Sequence, residues 1–182
     1  MREMSFSPQR AIESLLFLAG NLEQPTIHEV LKLRYFADKI HLSKFGFMAS
    51  GDTYSAMKFG PVASHTYNML KAARGERSNW IHPDFVEAVE DSLVVVESKN
   101  VRVLRAPNLE LLATSDVECM KEALSLYGNM PFSERTELSH DTAWTKAWDA
   151  ACNDSMDASD MGLTDIAETL ENSAELIEHF RA

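Results

Sequence analysis

The chain has 182 residues, of which 45% are hydrophobic and 25% are charged, and its formal net charge is −11. This composition is typical of one globular domain and excludes a disordered chain. No apolar run approaches the roughly 20 residues that a membrane helix needs. The apolar N-terminal stretch is interrupted by Glu13, which favours a helix over a signal peptide. We therefore expect a cytoplasmic protein without a membrane segment.

The acidic excess is concentrated in the C-terminal part of the chain. Residues 146–182 contain two basic and nine acidic side chains, a net charge of −7, whereas residues 1–145 carry −4. A surface of this sign repels phosphates and attracts basic proteins. The same charge also serves as an ordinary solvated surface.

Two helices are predicted at the start of the chain. The first begins at Ser7, with Pro8 in its first turn, and ends near Gly20. The second begins at Thr26, where Thr-Ile-His-Glu matches a capping box, and ends at Gly46.

Two strand segments are predicted in the middle of the chain. The alternating pattern of residues 53–59 predicts a short strand. Gly60-Pro61 then predicts a turn that leads directly into a third helix over residues 62–74. A looser stretch around Trp80 precedes a short helix in "DFVEAVEDS", and "LVVVESKNVRVLR" predicts a β-hairpin.

The last third of the chain is predicted to be mostly helical. Ser115 to Glu118 form a second capping box, which begins a helix that ends at Gly128. A loop leads to a helix around Trp144 and Trp148. Residues 151–162 are polar and turn-rich, which favours a linker, and residues 163–182 form a closing amphipathic helix.

These elements predict a mainly α fold with a small antiparallel β element (α+β). We expect one compact helical domain over residues 1–150 that contains the β-hairpin. Residues 151–182 form an acidic linker and an amphipathic helix, which we expect to pack on the same domain.

The second helix carries a polar stripe between two apolar flanks. At about 100° per residue, Arg34, Asp38 and His41 share this stripe. Arg34 and Asp38 are spaced for an ion pair, and Asp38 can orient the imidazole of His41. The stripe is either a polar pocket that binds a partner or performs acid–base chemistry, or a structural network that fixes the packing of the helix.

No catalytic motif accompanies this stripe. The six histidines and two cysteines lack zinc-ligand spacing, and no phosphate loop or nucleophile elbow is present. We therefore expect no metal, no cofactor and no enzymatic activity, although a hydrolase that uses Asp38 and His41 stays a third hypothesis.

A DNA-binding regulator is the second hypothesis. Several helices and a hairpin that carries Arg102 and Arg105 are compatible with a winged helix. The chain lacks the clustered basic face that phosphate binding needs. Nucleic acid is therefore a disfavoured partner, and the two arginines are expected to be solvated or to pair with Glu97 and Glu110.

Two motifs resemble one known family. "LKLRYFADKIHLSKFG", followed by "GDTYSAMKFGPV", is similar to the signature of the Panacea-domain family of SocA-like antitoxins and phage-associated proteins. "ELSHDTAWTKAW" resembles a later segment of that family, with His140 ahead of a tryptophan. The matching positions named as site candidates are Tyr35, Asp38, His41, Asp52, Tyr54, Gly60, Pro61 and His140, beside the stripe residue Arg34.

The resemblance implies that residues 1–150 form a Panacea-like antitoxin domain. Antitoxins of this family neutralise a cognate protein toxin, encoded by an adjacent gene, through protein–protein contact. The shared residues are then either a common structural centre or a toxin-contact surface. We expect Tyr54 and Lys58 to lie near Asp38, with toxin recognition on the neighbouring exposed surface. The resemblance leaves the oligomeric state open.

Overall fold

A computed structural model describes residues 5–76 and 81–181 of the protein. The fold is mainly helical with two small antiparallel sheets, which confirms the expected α+β class. No helix in these two ranges is long and apolar enough to span a bilayer. The stretch around Trp80 and the terminal Ala182 lie outside the described residues.

The elements are numbered in chain order. The helices are α1 (Pro8–Gly20), α2 (Ile27–Phe45), α3 (Ser64–Ala73), α4 (Pro83–Glu90), α5 (Thr114–Tyr127), α6 (Phe132–Ser139), α7 (Thr142–Asn153), α8 (Leu163–Glu168) and α9 (Ser173–Arg181). The strands are β1 (Tyr54–Met57), β2 (Gly60–Ala63), β3 (Leu93–Val96), β4 (Asn100–Val103) and β5 (Ser159–Met161), and a 3₁₀ turn covers Leu109–Leu111.

Helix α2 is the centre of the molecule. It packs against α1, α3, α5, α6, α8 and β2. Residues 30–38 of α2 are all buried, including Lys32, Arg34 and Asp38. A helix that is enclosed on all sides is expected to be apolar all round. The charged side chains of α2 therefore need partners from the elements that surround it.

Strand β1 is the middle strand of a three-stranded antiparallel sheet, in the order β2-β1-β5. Tyr54 pairs with Ala63 of β2 and with Met161 of β5. The β1–β2 hairpin turns at Lys58 and Phe59, and Gly60 then adopts a φ of 100°. Because β5 comes from the C-terminal part of the chain, the sheet joins distant segments next to α2.

The predicted β-hairpin is present as β3 and β4. It is attached to the start of α2, since Ile27 N–H donates to the carbonyl of Lys99 at 2.8 Å and Val101 N–H donates to the carbonyl of Pro25 at 2.7 Å.

Two predictions for the chain near the hairpin β1–β2 are wrong. Gly60-Pro61 does not lead straight into a helix, because residues 60–63 first pair with β1 and α3 begins at Ser64. Residues 132–139, expected as a loop, form α6. Its buried positions are polar, Arg135 and Ser139, so an apolar period does not mark this helix.

The C-terminal segment also differs from the prediction. The stretch expected as a linker contains the end of α7 and all of β5. The closing helix is interrupted between α8 and α9. The interruption contains Asn172, whose side-chain amide donates to the carbonyl of Ser43 at 2.9 Å and accepts from the Ser43 hydroxyl at 3.1 Å. This contact with the end of α2 gives a physical reason for the break.

Gly60 is predicted to be intolerant of a side chain. A Cβ at this position would lie 2.9 Å from the Lys32 ammonium and closer still to the Ser139 hydroxyl, on backbone with a φ of 100°. We expect Gly60→Ala to lower the free energy of unfolding by about 2 kcal/mol or more. Gly75→Ala is the control, because Gly75 has a φ of 86° but open space around it. If urea unfolding shows the same loss of unfolding free energy for Gly60→Ala and Gly75→Ala, crowding at Gly60 is unimportant.

Candidate functional site

Asp38 is fully buried and lies at the centre of a hydrogen-bond network. Its Oδ1 accepts from Arg34 Nη2 and from the backbone N–H of Ser50, each at 3.0 Å. Its Oδ2 accepts from the hydroxyl of Tyr54 at 2.6 Å and from the hydroxyl of Ser50. Both carboxylate oxygens are therefore engaged by donors of the same chain.

Arg34 bridges two buried carboxylates. Its Nη2 lies 3.0 Å from Asp38 Oδ1, which confirms the predicted ion pair, and 2.8 Å from Asp116 Oδ1. Burial opposes the charged guanidinium, but Asp116 and Asp38 outweigh that effect and raise the pKa of Arg34. Since Asp116 lies in the first turn of α5, this ion pair joins α5 to α2.

Two nitrogens of Arg34, Nε and Nη1, have no hydrogen-bond partner among the residues that the structure describes. Arg34 also lines a small cavity together with Ser14, Ser50, Thr66 and Asp116. The cavity has a volume of about 10 Å³, which is large enough for one water molecule.

Tyr54 and Tyr35 extend the network toward α7. Burial, and then the charge of Asp38, raises the pKa of Tyr54 well above its usual value. The two tyrosine rings pack edge to face with centroids 5.0 Å apart. Tyr35 donates to Asp141 Oδ2 at 2.8 Å, and Asp141 Oδ1 accepts from the N–H of Trp144 at 3.0 Å, so it caps α7. Burial and Asp141 also raise the pKa of Tyr35 well above its usual value.

Asp52 is the cap of α3, although it lies twelve residues before that helix. Its Oδ1 accepts from the N–H of His65 at 2.9 Å, and its Oδ2 accepts from the N–H and hydroxyl of Thr66 at 2.9 and 2.7 Å. The local N-cap residue is Ala63, which has no side-chain acceptor. Burial raises the pKa of Asp52, and the donors from His65 and Thr66 oppose that rise. The Gly-Asp pair thus supplies the first turn of α3 with the acceptor that it lacks.

His41 is buried, but it does not form the predicted hydrogen bond with Asp38. Its Nδ1 lies 2.8 Å from the carbonyl of Phe47, and its Nε2 lies 3.0 Å from the hydroxyl of Ser115. Because a carbonyl only accepts, Nδ1 carries a proton, and this contact fixes the orientation of the ring. Ser115 was expected to cap α5, but its hydroxyl bonds to His41 and α5 has no side-chain cap. The second capping box is therefore wrong.

The first capping box is half correct. Thr26 Oγ1 accepts from the N–H of Glu29 at 3.2 Å, as predicted. The carboxylate of Glu29 instead pairs with the buried Arg135 of α6 at 2.8 Å.

Lys32 is a buried cation beneath the β1–β2 hairpin. Its Nζ donates to the carbonyl of Pro61 at 2.6 Å, and Gly60 packs directly against its side chain. No carboxylate pairs with this ammonium among the described residues. Burial therefore lowers the pKa of Lys32 to about 7.

Two histidines border Lys32. The charge of Lys32 adds to burial in lowering the pKa of both, to about 4 for His28. His28 Nε2 lies 3.1 Å from the hydroxyl of Thr136, and a backbone hydrogen bond with Phe59 opposes the lowering of the His28 pKa. Within the part of the chain that the structure describes, the Nε2 of His140 has no hydrogen-bond partner. The His140 ring stacks on Trp144 at a centroid distance of 3.6 Å.

Lys58 lies at the exposed hairpin turn and is not among the hydrogen-bond or ion-pair partners of the buried Asp38, whereas Tyr54 is. Its Nζ lies 5.5 Å from the ring centroid of Phe59. Phe59 meets Phe132 of α6 edge to face, with centroids 5.9 Å apart. Both rings are 53% exposed.

The residues that complete these networks were not predicted from the sequence. Asp116, Asp141 and Arg135 lie far along the chain from α2, and a single sequence does not show which distant side chains meet. The burial of Lys32 could have been predicted, because it is the one lysine between the apolar residues Val30, Leu31 and Leu33 of a predicted helix. Within the described residues, no three His, Cys, Asp or Glu side chains are placed to hold a metal ion.

Replacing Lys32 by an uncharged side chain of similar length is predicted to change how stability depends on pH. Between about pH 7 and pH 10.5 the unfolded chain binds more protons at Lys32 than the folded chain, so wild-type stability rises with pH. Lys32→Met removes this contribution. The free energy of unfolding of the variant minus that of wild type should therefore be a few kcal/mol higher at pH 7 than at about pH 10.

Urea unfolding at several pH values measures this difference. Lys121→Met is the matched control, because Lys121 is exposed. If the wild-type and Lys32→Met curves run parallel over this pH range, Lys32 is not a desolvated cation.

Comparison with known proteins identifies the family. The family model described as Antitoxin SocA-like, Panacea domain matches residues 30–145, from the first turn of α2 to the first turn of α7. The match covers Asp38, the hairpin β1–β2 and His140. No curated protein and no solved structure matches the chain. With well over half of its residues matched, the chain belongs to the SocA-like antitoxin family with a Panacea domain.

Proposed function

We propose that this protein is an antitoxin of a toxin–antitoxin system, which neutralises a cognate protein toxin by direct binding in the cytoplasm. The toxin is the product of an adjacent gene, and the antitoxin acts without catalysis. Family membership supports the antitoxin role.

One observation favours binding over chemistry: Asp38, Asp52 and His41 are buried and already hydrogen-bonded within the chain. Asp38 and Asp52 each accept from four donors of the same chain. His41 is 1% exposed, with both ring nitrogens engaged. A hydrolase that uses Asp38 and His41 would need a free carboxylate or imidazole that faces its substrate. The shared residues instead suit a scaffold that carries a contact surface elsewhere.

One of the two hairpin arginines is not available for DNA binding, whereas Arg102 is exposed, as expected of a solvated side chain. Arg105 forms a two-pronged ion pair with Glu13, with nitrogen–oxygen distances of 2.7 and 2.9 Å, and not with Glu97 or Glu110. Arg105 is therefore occupied within the fold, and the acidic chain offers little to attract phosphates.

Co-expression in bacteria tests the proposal. The product of each adjacent open reading frame is induced alone and then together with this protein. We expect one product to stop growth alone and to be harmless on co-expression, and to co-purify with this protein as a complex. The control is co-expression with a frameshifted copy, which makes the same transcript. If no adjacent product is toxic, or if the frameshifted copy also restores growth, the proposal is wrong.

A further inference from the structure

The β1–β2 hairpin closes over three groups that can all carry a positive charge. We call them the cationic cluster: His28 and Lys32, one turn apart on α2, and His140, which follows α6. Lys32 is 1% exposed, and the backbone of Gly60 lies against its ammonium. No carboxylate pairs with this ammonium in residues 5–76 and 81–181. Once Lys32 is protonated, the cluster therefore contains a buried cation without a counter-charge.

The charges that act on the two histidines are mostly positive. After burial, which is the largest cause, Lys32, Arg135 and His140 all lower the pKa of His28. Burial and Lys32 also lower the pKa of His140, and Asp141 opposes this effect. A proton that binds to either imidazole therefore meets like charge in a site with little water.

The acidic side chains on the surrounding elements do not cancel this charge. Glu29 of α2 pairs with Arg135 of α6 at 2.8 Å, and Asp141 pairs with Lys39 at 2.8 Å. The other charged side chains nearby are exposed to solvent, namely Glu134 and Glu137 on α6 and Lys58 at the hairpin turn. Water screens such exposed charges.

The hairpin tip, residues 57–61, is held down by the cluster itself. Lys32 Nζ donates to the carbonyl of Pro61 at 2.6 Å, and a hydrogen bond joins His28 to the backbone of Phe59. The indole of Trp144, on which the His140 ring stacks, donates to the carbonyl of Met57 at 2.9 Å. Each of these three anchors therefore involves a member of the cluster or its stacking partner.

The neighbouring elements have anchors that do not involve the cluster. At the base of the hairpin, Tyr54 donates to Asp38 at 2.6 Å. Helix α6 is held by Arg135, which donates to the carbonyls of Tyr127 and Gly128, each at 3.2 Å. Charge repulsion inside the cluster thus acts on the hairpin tip before it acts on α6 or on the hairpin base.

We propose that His28 and His140 form an acid-sensitive latch, whose protonation beside Lys32 releases the hairpin tip from α2 and α6. Lifting the tip lets water reach all three groups of the cluster, while the Tyr54–Asp38 bond keeps the hairpin base in place. The latch is closed at neutral pH, where both imidazoles are uncharged.

The direction of the pH dependence follows from the two states of the latch. In the open state the imidazoles are solvated and titrate near the ordinary pKa of about 6.5. In the closed state the pKa of His28 is about 4, and that of His140 is also lowered. The open state therefore binds more protons over this range, and opening becomes more favourable as the pH falls.

Amide hydrogen exchange between about pH 7 and pH 4 tests the latch. We expect the protection factors of β1 and β2 amides to fall at least about tenfold between about pH 6.5 and pH 4.5, while those of the β3–β4 hairpin stay unchanged. The indole N–H of Trp144 should lose protection over the same range. An equal loss in β3–β4 would indicate general acid unfolding and would overturn the proposal.

A double variant removes both titrating groups. In His28→Gln with His140→Phe, the glutamine can still bond to Thr136 and the new ring can still stack on Trp144. We expect its β1 and β2 protection to be constant over this pH range. The control is His65→Gln, since His65 is an exposed histidine on α3, and it should keep the wild-type dependence. A double variant that also keeps that dependence would show that the latch is wrong.

Titration of the imidazoles by NMR tests the latch in the unmodified chain. His28 and His140 should titrate below the ordinary value of about 6.5, and Lys32→Met should raise both midpoints, because it removes a neighbouring cation. If both histidines of wild type titrate near 6.5 while β1 and β2 stay protected, the cluster tolerates protonation and the proposal fails.

Discussion

The structure depends on keeping a charged stripe inside a central helix. A carboxylate that is buried without donors would cost several kcal/mol, so Asp38 is compatible with this fold only because Arg34, Ser50 and Tyr54 surround it. These donors come from α2, from the loop after it and from β1. Because Asp38 needs these donors, α2, the loop after it and β1 are held together at this carboxylate. Asp116 adds α5 to the same ion-pair cluster.

The family motifs follow from this constraint. Gly51 has a φ of 63°, a left-handed conformation that glycine adopts readily, and it lies between the Asp38 partner Ser50 and the α3 cap Asp52. Tyr54 then reaches Asp38 from the first residue of β1. Gly60 and Pro61 close the hairpin over Lys32. Each of these motif residues is explained by a contact or a backbone conformation inside the molecule.

Sequence patterns predicted what is local. The α2 helix, its Thr26 cap, the β3–β4 hairpin and the Arg34–Asp38 pair depend on residues close in the chain, where periodicity and spacing carry the information. Contacts that join distant segments were missed or wrong. One local prediction is wrong as well: Asp38 does not orient His41, three residues further on, because the carbonyl of Phe47 and the hydroxyl of Ser115 engage both ring nitrogens. β5 was taken as a linker because Ser159-Asp160-Met161 is too short, and has only one apolar residue, to show an alternating strand pattern until β1 pairs with it. α6 was missed because its inward face is polar.

Amide hydrogen exchange on Tyr54→Phe tests the central claim most directly. The substitution removes one hydroxyl donor from a buried carboxylate, which should cost about 1–3 kcal/mol. The account predicts faster exchange in β1 and β2 than in wild type, with a smaller change in the β3–β4 hairpin of the same molecule. Unchanged protection in β1 and β2, together with lost toxin neutralisation, would contradict it and would make Tyr54 a contact residue instead of a support for the hairpin.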